Sequence, residues 1–163
     1  MAVVDLLELP RLLPATAPVF GLDVGSKTVG VAISDISLMI ASPLVLLRRE
    51  KFTQDAQALF AWMEKRAAAG LVIGLPVNMD GTEGAKCQSV RAFARNILRL
   101  KDLPIAFWDE RLSSVAVNRV LIEEADSTRA RRADVVDKMA AAWILQGALD
   151  RLRSAPPPPK EAI

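Results

Sequence analysis

The segment Leu71-Val72-Ile73-Gly74-Leu75 is apolar at every position and is stopped by Pro76. A strand with one wet face alternates polar and apolar residues, whereas a strand without alternation is covered on both sides, as in a sheet layered between helices. Such a strand obliges the rest of the chain to supply helices for two faces. The 163 residues suffice for one domain of this kind and leave little room for a second. With 52% hydrophobic and 25% charged residues, the chain has ample material for its core.

The flanking sequence fits that requirement. Val19 to Asp23 and Val29 to Asp35 read as strands joined by a turn at Gly25-Ser26-Lys27-Thr28, and Ser42 to Leu47 supplies a third strand of a meander. Thr53 can cap a helix whose apolar positions Ala56, Leu59, Phe60, Met63 and Ala67 recur at helical spacing, with Gly70 as its stop. A turn-rich loop at Asn78 to Thr82 leads to a second amphipathic helix marked by Val90, Phe93, Ala94, Ile97 and Leu98. The short strand Ile105 to Trp108 follows. A third helix is expected from Ser113 or Ser114 through Glu124, then a polar linker from Ala125 to Ala133, then a last helix from about Asp134 to Arg153. This order predicts an α/β fold: a mixed sheet, three antiparallel strands followed by parallel βα units, with helices on both faces. Residues 1–18, with Pro10, Pro14 and Pro18, read as an N-terminal extension, and residues 19–153 as the domain. Residues 154–163, with Pro156 to Pro159, read as a disordered tail.

Composition narrows the chemistry. The chain has no histidine, no tyrosine and one cysteine, which rules out Ser-His-Asp and Cys-His triads and His-ligated zinc. Carboxylates, hydroxyls, lysine and backbone remain. A spanning helix needs about 20 consecutive apolar residues, and no such run exists. Ala15-Thr16-Ala17 has the small-residue pattern of a signal cleavage site, but Asp5, Glu8, Pro10 and Arg11 break the apolar stretch before it. We therefore expect a cytoplasmic protein, in keeping with the lone Cys87 as a small helix residue.

Acids stand in informative places. On a helical wheel of the last helix, Asp137 falls between the directions of Ile144 and Ala148, at the edge of the apolar sector. A carboxylate there needs a compensating cation or metal, or else serves as a first-turn acid that satisfies backbone donors. Asp23 ends the first strand, and Asp109-Glu110 end the strand after Phe107-Trp108. Ligands of open α/β sheets bind outside those strand ends. Acids converging without histidine describe an oxygen-only site suited to Mg²⁺ or Mn²⁺, and a pair of such ions can drive phosphodiester hydrolysis. Three unrelated structural acids are the competing explanation.

Phosphate contacts are sought nearby. Neither GxxxxGK[ST] nor GxGxxG fits around Gly25 to Gly30, so no P-loop is present, but Lys27 remains a candidate contact. Net charge is only +2, so distribution must carry the case for a polyanion. Arg91, Arg95 and Arg99 recur every four residues between Lys86 and Lys101 with no acid among them. Arg131 and Arg132, with Arg129, form a basic stretch just before Asp137. A solvated helix face also explains such a stripe, and without interleaved aromatics base stacking has no support.

The assembled residues resemble the YqgF family of bacterial RNase H-like proteins, described as Holliday junction resolvases or pre-16S rRNA nucleases. The resemblance rests on the run from Gly21 to Asp35, on Val72-Ile73-Gly74-Leu75-Pro76-Val77-Asn78-Met79-Asp80-Gly81-Thr82-Glu83-Gly84, on Asp109-Glu110-Arg111-Leu112-Ser113-Ser114, and on Val136-Asp137-Lys138-Met139-Ala140-Ala141 with Ile144-Leu145-Gln146. It implies an RNase H-like fold with catalytic acids at Asp23, at Glu110 with Asp109 as its rival, and at Asp137. Metal would be held by Asp23, Glu110 and Asp137, and Arg111 joins the candidate substrate contacts. Members commonly carry arginine where this chain has Thr28, so a phosphate contact from that turn is lost or passes to Lys27. Asp134 is not implied as a ligand.

The implied activity is metal-dependent hydrolysis of structured RNA at the 5′ end of pre-16S rRNA, with resolution of four-way DNA junctions as the runner-up. A non-catalytic RNA-binding assembly factor is a reading from another class, as is an ATP-binding module built on a similar Asp-x-Gly-Ser turn. The last would need a second domain. No helix face is left over for a dimer seam, which predicts a monomer or weak homodimer.

Overall fold

A computed structural model of the chain describes residues 3–112 and 129–155, with the backbone alone described at 129–135 and 138. Five strands form one sheet: β1 (Val19–Val24), β2 (Thr28–Ser34), β3 (Ala41–Arg48), β4 (Gly70–Leu75) and β5 (Ile105–Asp109). Their order is β3-β2-β1-β4-β5. β2 runs antiparallel to β1 and β3, while β4 runs parallel to β1 and β5, so the meander and the βα units stand side by side as expected. Helices α1 (Phe52–Arg66) and α2 (Ala85–Leu100) cover one face, and α3 (Arg129–Ser154) covers the other.

Strand alternation divides the core. Leu71, Ile73 and Leu75 pack with Leu59, Met63, Val90, Phe93 and Ile97 under α1 and α2. Val72, Ala106 and Trp108 turn the other way, against Ala141, Ile144, Leu145 and Ala148 of α3. Every residue of β4 is buried, which is why its sequence shows no alternation.

Several boundaries differ from the sequence reading. α1 begins at Phe52, with Lys51 rather than Thr53 as its N-cap and no side chain bonding the cap. Its stop is Ala67 in the left-handed conformation, φ 56°, whose N–H bonds the Glu64 carbonyl while that of Ala68 bonds the Met63 carbonyl. Gly70 instead opens β4. Residues 129–133 belong to helix α3 rather than to a linker; arginine and alanine propagate a helix without any apolar period. The expected helix from Ser113 or Ser114 to Glu124, the linker up to residue 128 and the tail from residue 156 lie outside the described residues.

Much of residues 1–18 has a definite fold. Leu6–Leu12 form a 3-10 helix in which Asp5 accepts a hydrogen bond from the Leu7 N–H and Leu6 and Leu9 are buried beside Val72 and Trp108. Just before it, Val3 bridges Ile105 in parallel and the Val4 N–H donates to the Ile105 carbonyl at 2.8 Å, along the outer edge of β5. Among the described residues no helix is long and apolar enough to cross a membrane.

Candidate active site

Glycines set how closely α3 approaches the sheet. A Cβ on Gly21 of β1 would stand 2.6 Å from Leu145 Cβ and 3.0 Å from the Ala141 carbonyl. One on Gly30 of β2 would run into the backbone oxygen of Asp137. One on Gly74 of β4 would run into Ile144 and lie 2.8 Å from Glu110 Oε1. The helix contributes a glycine too, since a Cβ on Gly147 would lie 2.9 Å from the Trp108 indole nitrogen. At Gly30 the α3 backbone therefore rests directly on the strand, and at Gly21 and Gly74 the side chains of Leu145 and Ile144 take the space that a Cβ would need.

That approach gathers acids around the end of β1. Gly21 faces α3, so alternation points Asp23 to the same side. Asp23 pairs with Gly30, the residue beneath Asp137. On the opposite flank Leu22 pairs with Ile73, which places Gly74, with the Glu110 carboxylate against it, beside the end of β1. Asp137 and Glu110 thus approach Asp23 from either side. The Asp137 carboxylate accepts a hydrogen bond from the Thr28 hydroxyl at 3.2 Å, so Thr28 orients one of the acids. The three carboxylates bracket the strand end without closing into a shell: among the described residues no group of three His, Cys, Asp or Glu stands at metal-holding spacing.

The same geometry separates Glu110 from its neighbour. Asp109, the last residue of β5, alternates with Ile105 and Phe107 toward the α1/α2 face. Its carboxylate is gripped by Arg111, with Nη2 to Oδ2 at 2.7 Å, Nε to both oxygens at 3.1 Å, and the Arg111 backbone N–H to Oδ1 at 2.9 Å. That guanidinium holds the Asp109 carboxyl below the usual carboxylate range. Glu110 opens a 3-10 turn, Glu110–Leu112, and is carried to the α3 face. Arg111 also lies against Gly81, φ 89°, and feels the charge of Asp80, so its guanidinium braces the loop after β4.

Two residues missed in the sequence hold the β1–β2 turn. The Arg49 guanidinium donates to the Gly25 carbonyl at 2.8 Å, stands 3.7 Å from the buried Asp55 carboxylate and lies 5.6 Å from the centre of the Phe93 ring. Asp55 also accepts the Glu50 N–H, closing the start of α1. The available signal was an acid beside Ala56 on the apolar side of α1. Lys27 is exposed at the tip of the turn.

The basic stripe is less open than its spacing suggests. Arg91 forms a two-point ion pair with Glu83, Nε to Oε1 at 2.5 Å and Nη2 to Oε2 at 3.0 Å, and lies over the Phe107 ring. Glu83 precedes the helix and reaches one face along it, so the absence of acids within the stripe did not leave Arg91 unpaired. Arg99 bonds Asn96, and Arg95 is exposed. α2 starts beyond the end of β4 and runs back toward the start of β5, so Arg95 and Arg99 stand about 6 and 12 Å farther along the helix than Arg91. Arg131 and Arg132 lie in the backbone of α3 ahead of Asp137, and their side chains lie outside the description. Cys87 is buried, and that burial pushes its thiol up, away from reactivity.

The family described as "RuvX: Holliday junction resolvase" matches residues 17–151. A protein of Phenylobacterium zucineum named "Putative pre-16S rRNA nuclease" is 72% identical over 155 residues, covering 94% of this chain and 99% of its own length. One of Caulobacter sp. with the same name is 62% identical over 154 residues, covering 94% of each. Among solved structures, Thermus thermophilus RuvC in complex with a Holliday junction substrate superposes with a TM-score of 0.51, covering 85% of this chain and 98% of that one. At 12% identity that likeness bears on the fold alone.

Proposed function

This chain belongs to the RuvX family of nucleases, and on that premise we propose that it hydrolyses phosphodiester bonds in structured RNA, trimming the 5′ end of pre-16S rRNA. The observation that carries the reading is the placement of Asp137 by α3 over Gly30, and of Glu110 by the turn after β5 against Gly74, on the two strands that flank the end of β1 where Asp23 stands. Three carboxylates without histidine form an oxygen-only donor set, the chemistry that Mg²⁺ or Mn²⁺ prefers. Asp23, Glu110 and Asp137 would hold such an ion, which would supply Lewis-acid activation of water and charge stabilisation at the phosphate.

The chain's own residues do the rest. Asp23 is fixed at a strand end, Glu110 by the turn after β5, and Asp137 by the Thr28 hydroxyl. Lys27, at the exposed tip beside them, meets substrate phosphate. Asp109 and Arg111 hold each other and shape the wall of the site. The names of the similar proteins favour RNA; resolution of four-way DNA junctions is the second reading, favoured by the description of the family. The protein acts in the cytoplasm as a monomer or weak homodimer on one strand at a time.

The test is cleavage of precursor RNA and of a four-way DNA junction, with and without Mn²⁺, by the wild type and by Asp23→Asn. We expect Mn²⁺-dependent trimming of RNA that falls by at least about a thousandfold in the variant, while its melting temperature stays close to wild type. Symmetric nicks in the junction by a tight dimer would replace the RNA reading with the junction reading. Tight RNA binding without cleavage would identify an assembly factor.

A further inference from the structure

We propose that Arg48, which no sequence pattern singled out, is a phosphate-binding residue of the site and receives the nucleic-acid backbone beside Asp137. The proposal rests on the nuclease reading for the identity of its ligand and on strand register for its position. Arg48 pairs with Thr28 in the β2–β3 ladder. Residues paired across antiparallel strands point to the same face, with their Cβ atoms about 5 Å apart. The pairs Val29–Leu47 and Val31–Val45 belong to the core under α1 and α2, so the alternating pair Thr28–Arg48 faces α3. Thr28 confirms this side by its hydrogen bond to Asp137.

Arg48 is the last residue of β3 and exposed, and none of the hydrogen bonds or ion pairs described above ties its side chain to a carboxylate. Its neighbour Arg49 is committed inward, to Gly25 and Asp55. The Arg49 N–H also bonds the Lys27 carbonyl at 2.8 Å, which ties the exposed Lys27 to the end of β3. Two adjacent arginines therefore divide the labour: one fastens the turn, and the other extends a planar, two-pronged donor into solvent at the rim of the acids. Such a fork fits the oxygens of one phosphate, and with Lys27 it offers two contact points for a backbone that must pass over Asp23.

Binding can be read without catalysis. Anisotropy of a fluorescein-labelled hairpin RNA is titrated with full-length protein in EDTA across a potassium chloride series. Arg48→Gln is expected to weaken binding severalfold and to lower the slope of log K against log salt by about one. Arg48→Lys is expected to keep that slope while losing part of the affinity, because it retains the charge without the fork. Arg66→Gln carries the same charge change in the last turn of α1, just before β4 begins and so at the opposite end of the strands, and is expected to leave both unchanged. An unchanged slope in Arg48→Gln, or an equal loss in Arg66→Gln, would overturn the role of Arg48 and leave the nuclease reading standing. A wild-type protein that binds neither this RNA nor a four-way DNA junction would overturn that reading, and this proposal with it.

Discussion

The two faces of the sheet are built on opposite principles. Beneath α1 and α2 the gap is filled by bulk: Phe20, Leu22, Ile73, Leu59, Phe93 and Ile97 interdigitate, and the helices stand off at the distance those side chains dictate. Beneath α3 side chains such as Val72, Trp108, Ile144 and Leu145 also pack, but glycines at 21, 30 and 74 let the helix settle closer, and at Gly30 the Asp137 carbonyl meets the strand itself. A layer of flexible side chains holds its partners to within the play of their rotamers, whereas direct backbone contact leaves almost none. The tighter face carries the acids to which we assign the hydrolysis, a chemistry that a small displacement spoils.

Adding one methyl group to the tight face should break this contrast most sharply. In Gly30→Ala the new Cβ meets the Asp137 carbonyl, a backbone atom that cannot rotate away, so α3 must shift and carry the carboxylate with it. We expect cleavage to fall by about a hundredfold or more and unfolding stability by about 1–3 kcal/mol, measured by single-turnover kinetics and denaturant titration. Activity loss without any change in stability would show that the helix does not bear on the sheet there.

The complementary experiment removes volume from the other face. Ile97→Ala should cost about 2–5 kcal/mol of stability yet leave the cleavage rate of the folded protein within about twofold, because Ile97 packs away from the acids. A rate loss as large as that of Gly30→Ala would mean that the two faces are coupled.

Arg49→Ala tests a tie that runs from the Phe93 ring on one face to the Gly25 turn that follows Asp23. Loosening that turn and leaving Asp55 buried beside a lost partner should destabilise the fold by about 1–3 kcal/mol and lower cleavage by about tenfold, with Arg49→Lys intermediate in both.

The smallest effect belongs to Asp109. Its carboxyl is held below the usual range by Arg111, so the ion pair contributes stability above the unfolded value of about 3.9, lost as pH falls through the lower folded value. Thermal melts should show Asp109→Asn less stable than wild type at neutral pH, and the difference should vanish at strongly acidic pH. Its cleavage rate at neutral pH should stay near wild type; a rate as low as that of Asp23→Asn would return Asp109 to the catalytic set in place of Glu110.

Much of this was legible in one dimension. β1, β2, β4, β5 and the bodies of α1 and α2 follow from local period, and Asp23 and Asp137 from their places on it. The different surroundings of Asp109 and Glu110 were not legible, because successive residues of a strand face opposite sides and the grip of Arg111 on Asp109 has no sequence signature. Nor was the pairing of Arg91, which depends on an acid eight positions earlier that lies outside the helix. The fold of residues 6–12 has no helical period because it is a 3-10 segment containing Pro10, held by burial of Leu6 and Leu9 against the sheet rather than by propensity. Gly30 and Gly74 looked like ordinary strand glycines; only the helix above them explains why no larger residue fits.

The strap formed by Val3 and Val4 along β5 has a practical meaning for handling the protein. An open strand edge is a template for the strands of other molecules, and here the Val4 N–H already occupies the Ile105 carbonyl on that edge. A truncation through Leu12 would bare the edge and expose the apolar surface that Leu6 and Leu9 cover, so the shortened chain should precipitate as it concentrates. Purification tags that must leave oligomerisation undisturbed therefore belong after Ser154, where α3 ends, rather than ahead of Val3.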